Sequence, residues 1–205
     1  MNRLVLLTVV LFGLTACGDP DADTASPGAA AIDASAALSA VLDGYFEASL
    51  ELNPLSATSI GDDRYNDRLA IPIGAPYRER SLAMEERYLE RLLAIDREAL
   101  NPQEQLSYDL FRLQREWAIE GAAFPSHLQP INQFRSFMNR FVQLGSGKSL
   151  HPFETVKDYE DWLSRVDDFV VYVDTAIDNM QAGAAEGVVQ PKVLMAKVLP
   201  QLESQ

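Results

Sequence analysis

The most constraining feature of the sequence is a long run of helical periodicity between Thr155 and Gln181. Apolar residues recur there every three or four positions, the spacing that places side chains on one face of an α-helix. They are Tyr159, Trp162, Leu163, Val166, Phe169, Val170, Val173, Ile177 and Met180. No stretch of the chain alternates cleanly with period two, as a half-buried strand does. The sequence therefore predicts an all-α fold, an irregular helical bundle.

Other helices are predicted from capping residues together with the same spacing. Asn53 and Pro54 have the order of an N-cap and a first helical residue, and Gly61 ends that short helix. Asn101 and Glu104 match a capping box. The helix that follows this box carries apolar residues at helical spacing, namely Leu106, Leu110, Leu113 and Trp117. The remaining predicted helices lie at about 33–52, at about 77–96, near Phe134–Phe141 and from Pro191 onward.

The first residues have the organisation of a lipoprotein signal peptide. Arg3 gives a positive start, and residues 4–14 form an apolar run that is shorter than the roughly 20 residues of a membrane-spanning helix. Small residues then lead to Cys17, the one cysteine of the chain. This order is similar to a bacterial lipobox, in which the cysteine is acylated; the alternative is a buried free cysteine after an ordinary cleavage site. We predict a signal peptide at 1–16 and a lipid anchor on Cys17.

The mature protein is expected in the bacterial cell envelope, held to a membrane through Cys17. An Asp directly after the acylated cysteine favours the inner membrane. Gly18 stands there instead, so we expect the outer membrane, with the protein facing the periplasm. Residues 17–32 are small and acidic and predict a flexible tether. The folded helical domain is expected at 33–205.

The charge of the chain argues against a nucleic-acid partner. It carries 30 Asp and Glu against 17 Lys and Arg, a formal net charge of −13. An acidic surface repels phosphate backbones, so no nucleic-acid partner is expected.

The segment Gly145–Ser149 ends like a P-loop, but Val142 stands where the first glycine of that motif belongs. We therefore expect no bound nucleotide.

The sequence contains no catalytic or metal-binding constellation. Its two histidines, His127 and His151, do not belong to an H-E-x-x-H motif, and neither has a second histidine one helical turn away. A zinc site takes about three or four protein ligands at suitable spacing. We predict no catalytic residue, no metal ligand and no cofactor in this chain.

One group of polar residues is a candidate binding site. Asn132, Gln133 and Arg135 lie among apolar residues between Pro130 and Phe141. In one interpretation these three side chains cap and solvate a short helix. In the other interpretation they line a cleft and form hydrogen bonds with an extended substrate. They are the candidate substrate-binding residues of the chain.

Four stretches in order along the chain resemble a bacterial lipoprotein family that is catalogued as domain of unknown function 885. The stretches are Asn53–Gly61 with Asp63, Tyr65, Asp67 and Arg68, then Leu128–Gln133, then Pro152–Arg165, and finally the segment from Asn179 through Gly187–Pro191 to Leu202.

The resemblance implies a relationship to helical zinc metallopeptidases. Members of the family are usually longer and resemble enzymes with an H-E-x-x-P-G-H motif, in which two histidines bind zinc and the Glu acts as general base. None of those residues is present here, so the resemblance implies a non-catalytic N-terminal part, with zinc expected only in the missing C-terminal part. In related peptidases the N-terminal helices wall a substrate channel, which would place Asn132, Gln133 and Arg135 along it.

Two functions are compatible with these features. Gln201–Gln205 carries no helix stop signal, so we expect an incomplete N-terminal portion of a larger helical fold. The favoured hypothesis is the lipid-anchored, non-catalytic N-terminal half of a zinc-dependent peptidase, walling a channel for a peptide substrate and inactive by itself. The alternative is a self-sufficient, non-enzymatic helical lipoprotein that binds an envelope partner.

Overall fold

The computed structural model of the chain describes residues 27–132 and 137–203. In these residues the chain forms seven α-helices and two short 3₁₀ turns, and no strand, which confirms the all-α fold. The helices are α1 (Pro27–Leu52), α2 (Pro54–Ser59), α3 (Ala75–Leu93), α4 (Pro102–Ala122), α5 (Phe137–Leu144), α6 (Val156–Glu186) and α7 (Lys192–Glu203). The 3₁₀ turns are Arg97–Ala99 and Ser126–Leu128.

The start of α4 is the predicted capping box. The Asn101 side chain accepts the Glu104 backbone N–H at 3.0 Å, and the Glu104 carboxylate accepts the Asn101 N–H at 3.1 Å. Asn53 precedes α2 as predicted, but its side chain makes no cap hydrogen bond. Its amide instead donates to the Ser49 carbonyl, and its side-chain oxygen accepts the Tyr77 hydroxyl. Asn53 therefore joins three helices.

Helix α6 is longer than its periodicity predicts. A capping box of Thr155 and Asp158 begins the helix, which then continues through Gly183 and ends at Gly187 in the left-handed conformation, with φ 76°. The apolar periodicity stops at Gln181, before Gly183, yet this glycine is buried inside the helix. A Cβ at Gly183 would lie 2.7 Å from the Val188 carbonyl oxygen. The glycine thus permits a close backbone contact instead of ending the helix.

The main hydrophobic core lies between α1, α3 and α4. Helices α3 and α4 have the most extensive contact, and α1 packs against α3. At the centre, the Tyr45 ring meets the rings of Tyr88 and Phe111 edge-on, with centroid separations of 5.4 and 5.1 Å. The buried members of this core are Ala34, Leu38, Val41, Met84, Tyr88, Leu92, Leu100, Tyr108 and Phe111.

A second, aromatic cluster holds α5 against α6. The Phe141 and Phe169 rings stack with centroids 3.9 Å apart, and Trp162 stacks on the other side of Phe141 at 4.7 Å. Phe137 contacts the Tyr172 ring at 4.9 Å. These contacts fix α5 on α6.

The apolar stripe that predicts α4 is not the face that α4 buries. Tyr108, Phe111 and Arg115 are buried. The residues of the α4 stripe are exposed to solvent, at 52% for Leu106, 51% for Leu110, 38% for Leu113 and 63% for Trp117. Helix α4 therefore has two apolar faces, and in the described part of the chain only one of them is covered.

The predicted anchor and part of the candidate site lie outside the described residues. This applies to Cys17, Gln133 and Arg135. Helix α1 begins at Pro27, so the last residues of the predicted tether are helical. Across 27–132 and 137–203, none of the helices combines the length and the apolar character needed to cross a membrane.

Candidate functional site

Of the three candidate binding residues the structure describes only Asn132, which does not line either of the two cavities described below. Asn132 is half-buried and follows Ile131, which is buried. The segment 129–132 continues from the 3₁₀ turn Ser126–Leu128. Ser126 and His127 line one cavity, and Leu128, Gln129 and Ile131 line another. The prediction that Asn132, Gln133 and Arg135 bind a substrate remains a prediction, since only Asn132 is described.

The larger cavity is a cleft of about 450 Å³ between α3, the end of α4 and the 3₁₀ turn that follows it. We call it the α3–α4 cleft. A few polar groups converge on mostly apolar walls, which is the usual composition of a ligand pocket. Its lining residues are Pro72, Ile73, Ala75, Tyr77, Arg78, Glu79, Ser81, Leu82, Glu85, Ala118, Gly121, Ala122, Phe124, Ser126 and His127.

A buried charge pair backs the cleft. The Glu85 carboxylate lies 2.6 Å from Nε of Arg115 through one oxygen, and its other oxygen accepts the Tyr45 hydroxyl at 3.0 Å. The Arg115 guanidinium lies 3.8 Å from the Tyr45 ring centroid. Burial, and next the negative charge of Glu85, raise the pKa of Tyr45 to about 12, so the phenol stays a hydrogen-bond donor at neutral pH. Nη1 of Arg115 is buried with no hydrogen-bond partner among the described residues.

His127 lies on the rim of the cleft. Desolvation, and next the positive charge of Arg78, lower the pKa of the imidazole. The ring is therefore neutral at pH 7 and presents one donor and one acceptor nitrogen. The cleft thus combines a neutral histidine with charged groups of both signs, Arg78 and Glu79.

The smaller cavity, of about 180 Å³, is almost wholly apolar. The Gln190 side-chain amide donates to Oε1 of Gln129 at 3.0 Å and joins the segment after α6 to the segment after the 3₁₀ turn. The buried Gly183 lets the Leu128 backbone approach α6 closely. The lining residues are Leu128, Gln129, Ile131, Met180, Val188, Val189, Gln190 and Met195.

A polar cluster around Arg165 joins α6 to α2 and to the loop after it. The Arg165 side chain is fully buried and donates to the Arg68 carbonyl at 3.0 Å and to the Thr58 hydroxyl at 2.6 Å. The Thr58 hydroxyl in turn donates to Oδ1 of Asn66 at 2.6 Å. Desolvation lowers the pKa of Arg165 to about 10, which leaves it protonated at neutral pH. These acceptors belong to α2 and to the loop after it, so Arg165 ties α6 to that part of the fold.

His151 completes the Arg165 cluster. Its Nε2 lies 2.8 Å from the Asp158 carbonyl oxygen, and its Nδ1 lies 2.7 Å from Nη1 of Arg165. Because a carbonyl can only accept and a guanidinium can only donate, the ring must be the neutral tautomer with the proton on Nε2. Desolvation is the main cause that lowers the pKa of His151, and the charge of Arg165 acts in the same direction.

We predict that stability falls as the pH drops from 6.5 to 5. An unfolded histidine titrates near about 6.5, whereas folded His151 resists protonation, so the unfolded state binds more protons in this range. The contribution of His151 to the free energy of unfolding is therefore fully present above the pKa of the unfolded histidine. Below that pKa the contribution decreases, by at most about 1.4 kcal/mol per pH unit. Urea denaturation at several pH values measures the slope.

The matched controls are His151→Gln and His127→Gln. A Gln at 151 can donate and accept as the neutral ring does but does not titrate, so the slope between pH 6.5 and 5 should flatten. His127 is more exposed, and its replacement should leave most of the slope. An unchanged slope in His151→Gln contradicts this assignment.

The described residues contain no group of three or more His, Cys, Asp and Glu side chains that could hold a metal ion. His127 and His151 belong to different sites, the rim of the cleft and the Arg165 cluster. Neither cavity therefore presents a metal centre within 27–132 and 137–203.

Comparison with known families gives one match. A family model described as "Bacterial protein of unknown function (DUF885)" matches residues 54–205. The chain belongs to this family. The region matched by DUF885 includes α2 to α7, the two cavities and the Arg165 cluster. No curated protein and no solved structure matches the chain.

The four stretches that carry the DUF885 resemblance contact each other two by two, the first with the third and the second with the fourth. Thr58 in the first stretch contacts Arg165 in the third. Gln129 in the second stretch contacts Gln190 in the fourth. Segments that are far apart in the sequence therefore meet at two places in the fold, which we call the two joints. One joint is the polar cluster around Arg165, and the other is the Gln129–Gln190 hydrogen bond beside the apolar cavity.

The sequence did not indicate the cleft or the Arg165 cluster. One usable signal was present: Arg115 follows Tyr108 and Phe111 at helical spacing and so shares their buried face. Glu85 similarly lies next to Met84 and three residues before Tyr88 on α3. A charged residue at a core-facing position marks a buried pair, but finding its partner requires the tertiary structure.

Proposed function

We propose that this DUF885 chain is the lipid-anchored, non-catalytic part of a zinc peptidase-like protein of the bacterial envelope, and that it binds peptide in the α3–α4 cleft. The observation that carries the proposal is the cleft itself. Its volume of about 450 Å³ lies in the usual range of ligand sites, and it opens beside the segment that leads to Asn132.

The lining of the cleft suits an extended peptide. Ile73, Leu82 and Phe124 offer apolar contacts to side chains. Arg78 can donate to peptide carbonyls, and Ser81 can donate or accept. These groups bind and orient a chain without requiring one particular sequence.

In this proposal the zinc ligands and the general base belong to a part of the protein outside residues 1–205. The described residues supply a wall for the peptide and no reacting group. We further propose that Cys17 carries the lipid and that the domain faces the periplasm from the outer membrane. The support is the order of the N-terminal residues, a positive start and an apolar run that leads to the one cysteine.

Peptide binding tests the proposal. The full chain in phosphatidylcholine nanodiscs is titrated into a fluorescein-labelled, end-capped decapeptide that alternates Leu and Ser, and fluorescence anisotropy is read against empty nanodiscs. Ala122→Trp fills the cleft from its wall and should weaken binding at least about tenfold. Ala83→Trp places the same ring on an exposed α3 position outside the cleft and should leave binding unchanged. Equal binding by both variants contradicts the cleft as the site.

The same preparation tests the non-catalytic part of the proposal. The chain should bind no stoichiometric zinc and should not cleave the peptide when zinc is added. Metal-dependent hydrolysis that persists through purification would overturn it.

The exposed α4 stripe favours a second candidate, a non-enzymatic lipoprotein that binds an envelope partner. Four large apolar side chains lie in one row there, in contact with solvent. Contiguous exposed apolar patches often mark protein–protein contact sites. This candidate predicts no decapeptide binding in the cleft, so the anisotropy experiment separates the two.

A further inference from the structure

Helix α6 carries an exposed apolar row with a seven-residue repeat. Val156, Leu163, Val170 and Ile177 are exposed by 76%, 63%, 54% and 44%. We call these four residues the α6 seam. Residues on the opposite side of the helix are buried, so the seam points away from the domain. A seven-residue repeat is the spacing by which two helices keep one face in contact over several turns.

An acidic row follows one side of the seam. Glu160, Asp167 and Asp174 are also seven residues apart and exposed, and each is three or four positions from two seam residues. None of the three forms an ion pair with any residue of 27–132 or 137–203. The two basic residues of α6 do not offset the row, because Lys157 pairs with Asp161 and Arg165 is buried.

These two rows specify the charge of the occupant. A second copy packed antiparallel would bring two acidic rows together, and the net charge of −13 also opposes self-association. An anionic lipid surface is repelled for the same reason. A helix with an apolar row beside Lys or Arg complements both features of α6.

We propose that the α6 seam is a docking surface for a cationic amphipathic helix of a partner protein. The apolar row supplies most of the affinity, and the acidic row supplies specificity and a dependence on salt. This surface is independent of the peptide cleft, which lies between α3 and α4.

The probe is a labelled three-heptad peptide with Leu at the two apolar positions of each heptad and Lys on both flanks. Its matched partner replaces every Lys with Glu. Binding is measured by fluorescence anisotropy on the full chain in phosphatidylcholine nanodiscs, with empty nanodiscs as blank. The cationic peptide should bind one-to-one, and the anionic peptide should bind at least about tenfold more weakly.

Variants locate the bound peptide. Leu163→Glu places a charge in the seam and should weaken binding of the cationic peptide at least about tenfold. Leu110→Glu makes the same change on the α4 stripe at a similarly exposed leucine and should alter affinity less than about twofold. The combined variant Glu160→Gln, Asp167→Asn and Asp174→Asn changes no apolar contact. It should lower affinity several-fold at low salt and remove most of the salt dependence.

Three outcomes overturn the proposal. One is equal loss of binding in Leu163→Glu and Leu110→Glu, which would mean that the peptide binds any exposed apolar row. Another is equal binding of the cationic and anionic peptides. The third is dimerisation in sedimentation equilibrium that Leu163→Glu abolishes, which would make a second copy the occupant. Circular dichroism of each variant verifies that the helices are retained.

Discussion

Replacing Arg165 with Ala is expected to lower the free energy of unfolding by at least about 4 kcal/mol. The side chain is fully buried and donates to the Thr58 hydroxyl, the Arg68 carbonyl and His151. Alanine leaves the buried Thr58 and His151 acceptors without this donor, at about 1–3 kcal/mol each, removes the bond to the Arg68 carbonyl and adds a cavity. A domain of this size has a total stability of only about 5–15 kcal/mol, so the variant loses a large share of it. Urea denaturation followed by circular dichroism measures the loss.

Arg112→Ala is the matched control for this prediction. Arg112 is also helical and charged, but it is exposed and pairs with Glu116 one helical turn away. Exposed pairs of this kind contribute about 0.3–0.5 kcal/mol, so the control should unfold almost as the parent does. A loss of less than about 1 kcal/mol in Arg165→Ala would show that the Arg165 cluster is not a structural joint.

The predictable part of the fold is local. The Asn101 capping box and the start of α6 at Thr155 depend on residues within one turn, so the sequence is sufficient to identify them. The role of Gly183 depends instead on the Val188 carbonyl, which approaches it after the chain has turned back. Local reasoning assigns such a glycine to a break, whereas the tertiary contact keeps it inside the helix.

The candidate site was less predictable than the helices, for a physical reason. Asn132 was singled out because polar residues among apolar ones stand out in a sequence, and its binding role stays a prediction, since it lines neither cavity. Glu85 and Arg115 come from different helices and become a pair only when α3 and α4 pack. The cleft in front of them is a property of that packing, and no motif encodes its walls.

The two joints between family-like stretches also explain why those stretches are spread along the chain. The polar contact at Arg165 attaches α6 to α2 and the loop after it, and the hydrogen bond between Gln129 and Gln190 attaches the segment after α6 to the segment after the 3₁₀ turn. Helix α6 therefore holds both the loop after α2 and the region beside Asn132. Arg165→Ala should consequently disturb residues 129–132 as well as lower the global stability.

Phe111→Ala is expected to lower the free energy of unfolding by about 3–5 kcal/mol. Phe111 is 8% exposed, and its ring meets Tyr45 edge-on at the centre of the core. The Arg115 guanidinium lies 4.7 Å from the centroid of the same ring, so the truncation also removes an aromatic contact of a buried cation. Urea denaturation of the variant measures the loss.

Leu110→Ala is the control, because Leu110 directly precedes Phe111 and is 51% exposed in the α4 stripe. Its replacement should change stability by less than about 0.5 kcal/mol. Periodicity alone places Leu110, with Leu106, Leu113 and Trp117, on the apolar face of α4, and it gives no means to choose between that face and the one with Phe111. If Leu110→Ala proves as destabilising as Phe111→Ala, the α4 stripe is covered in the folded protein, and the surface that favours a binding partner does not exist in solution.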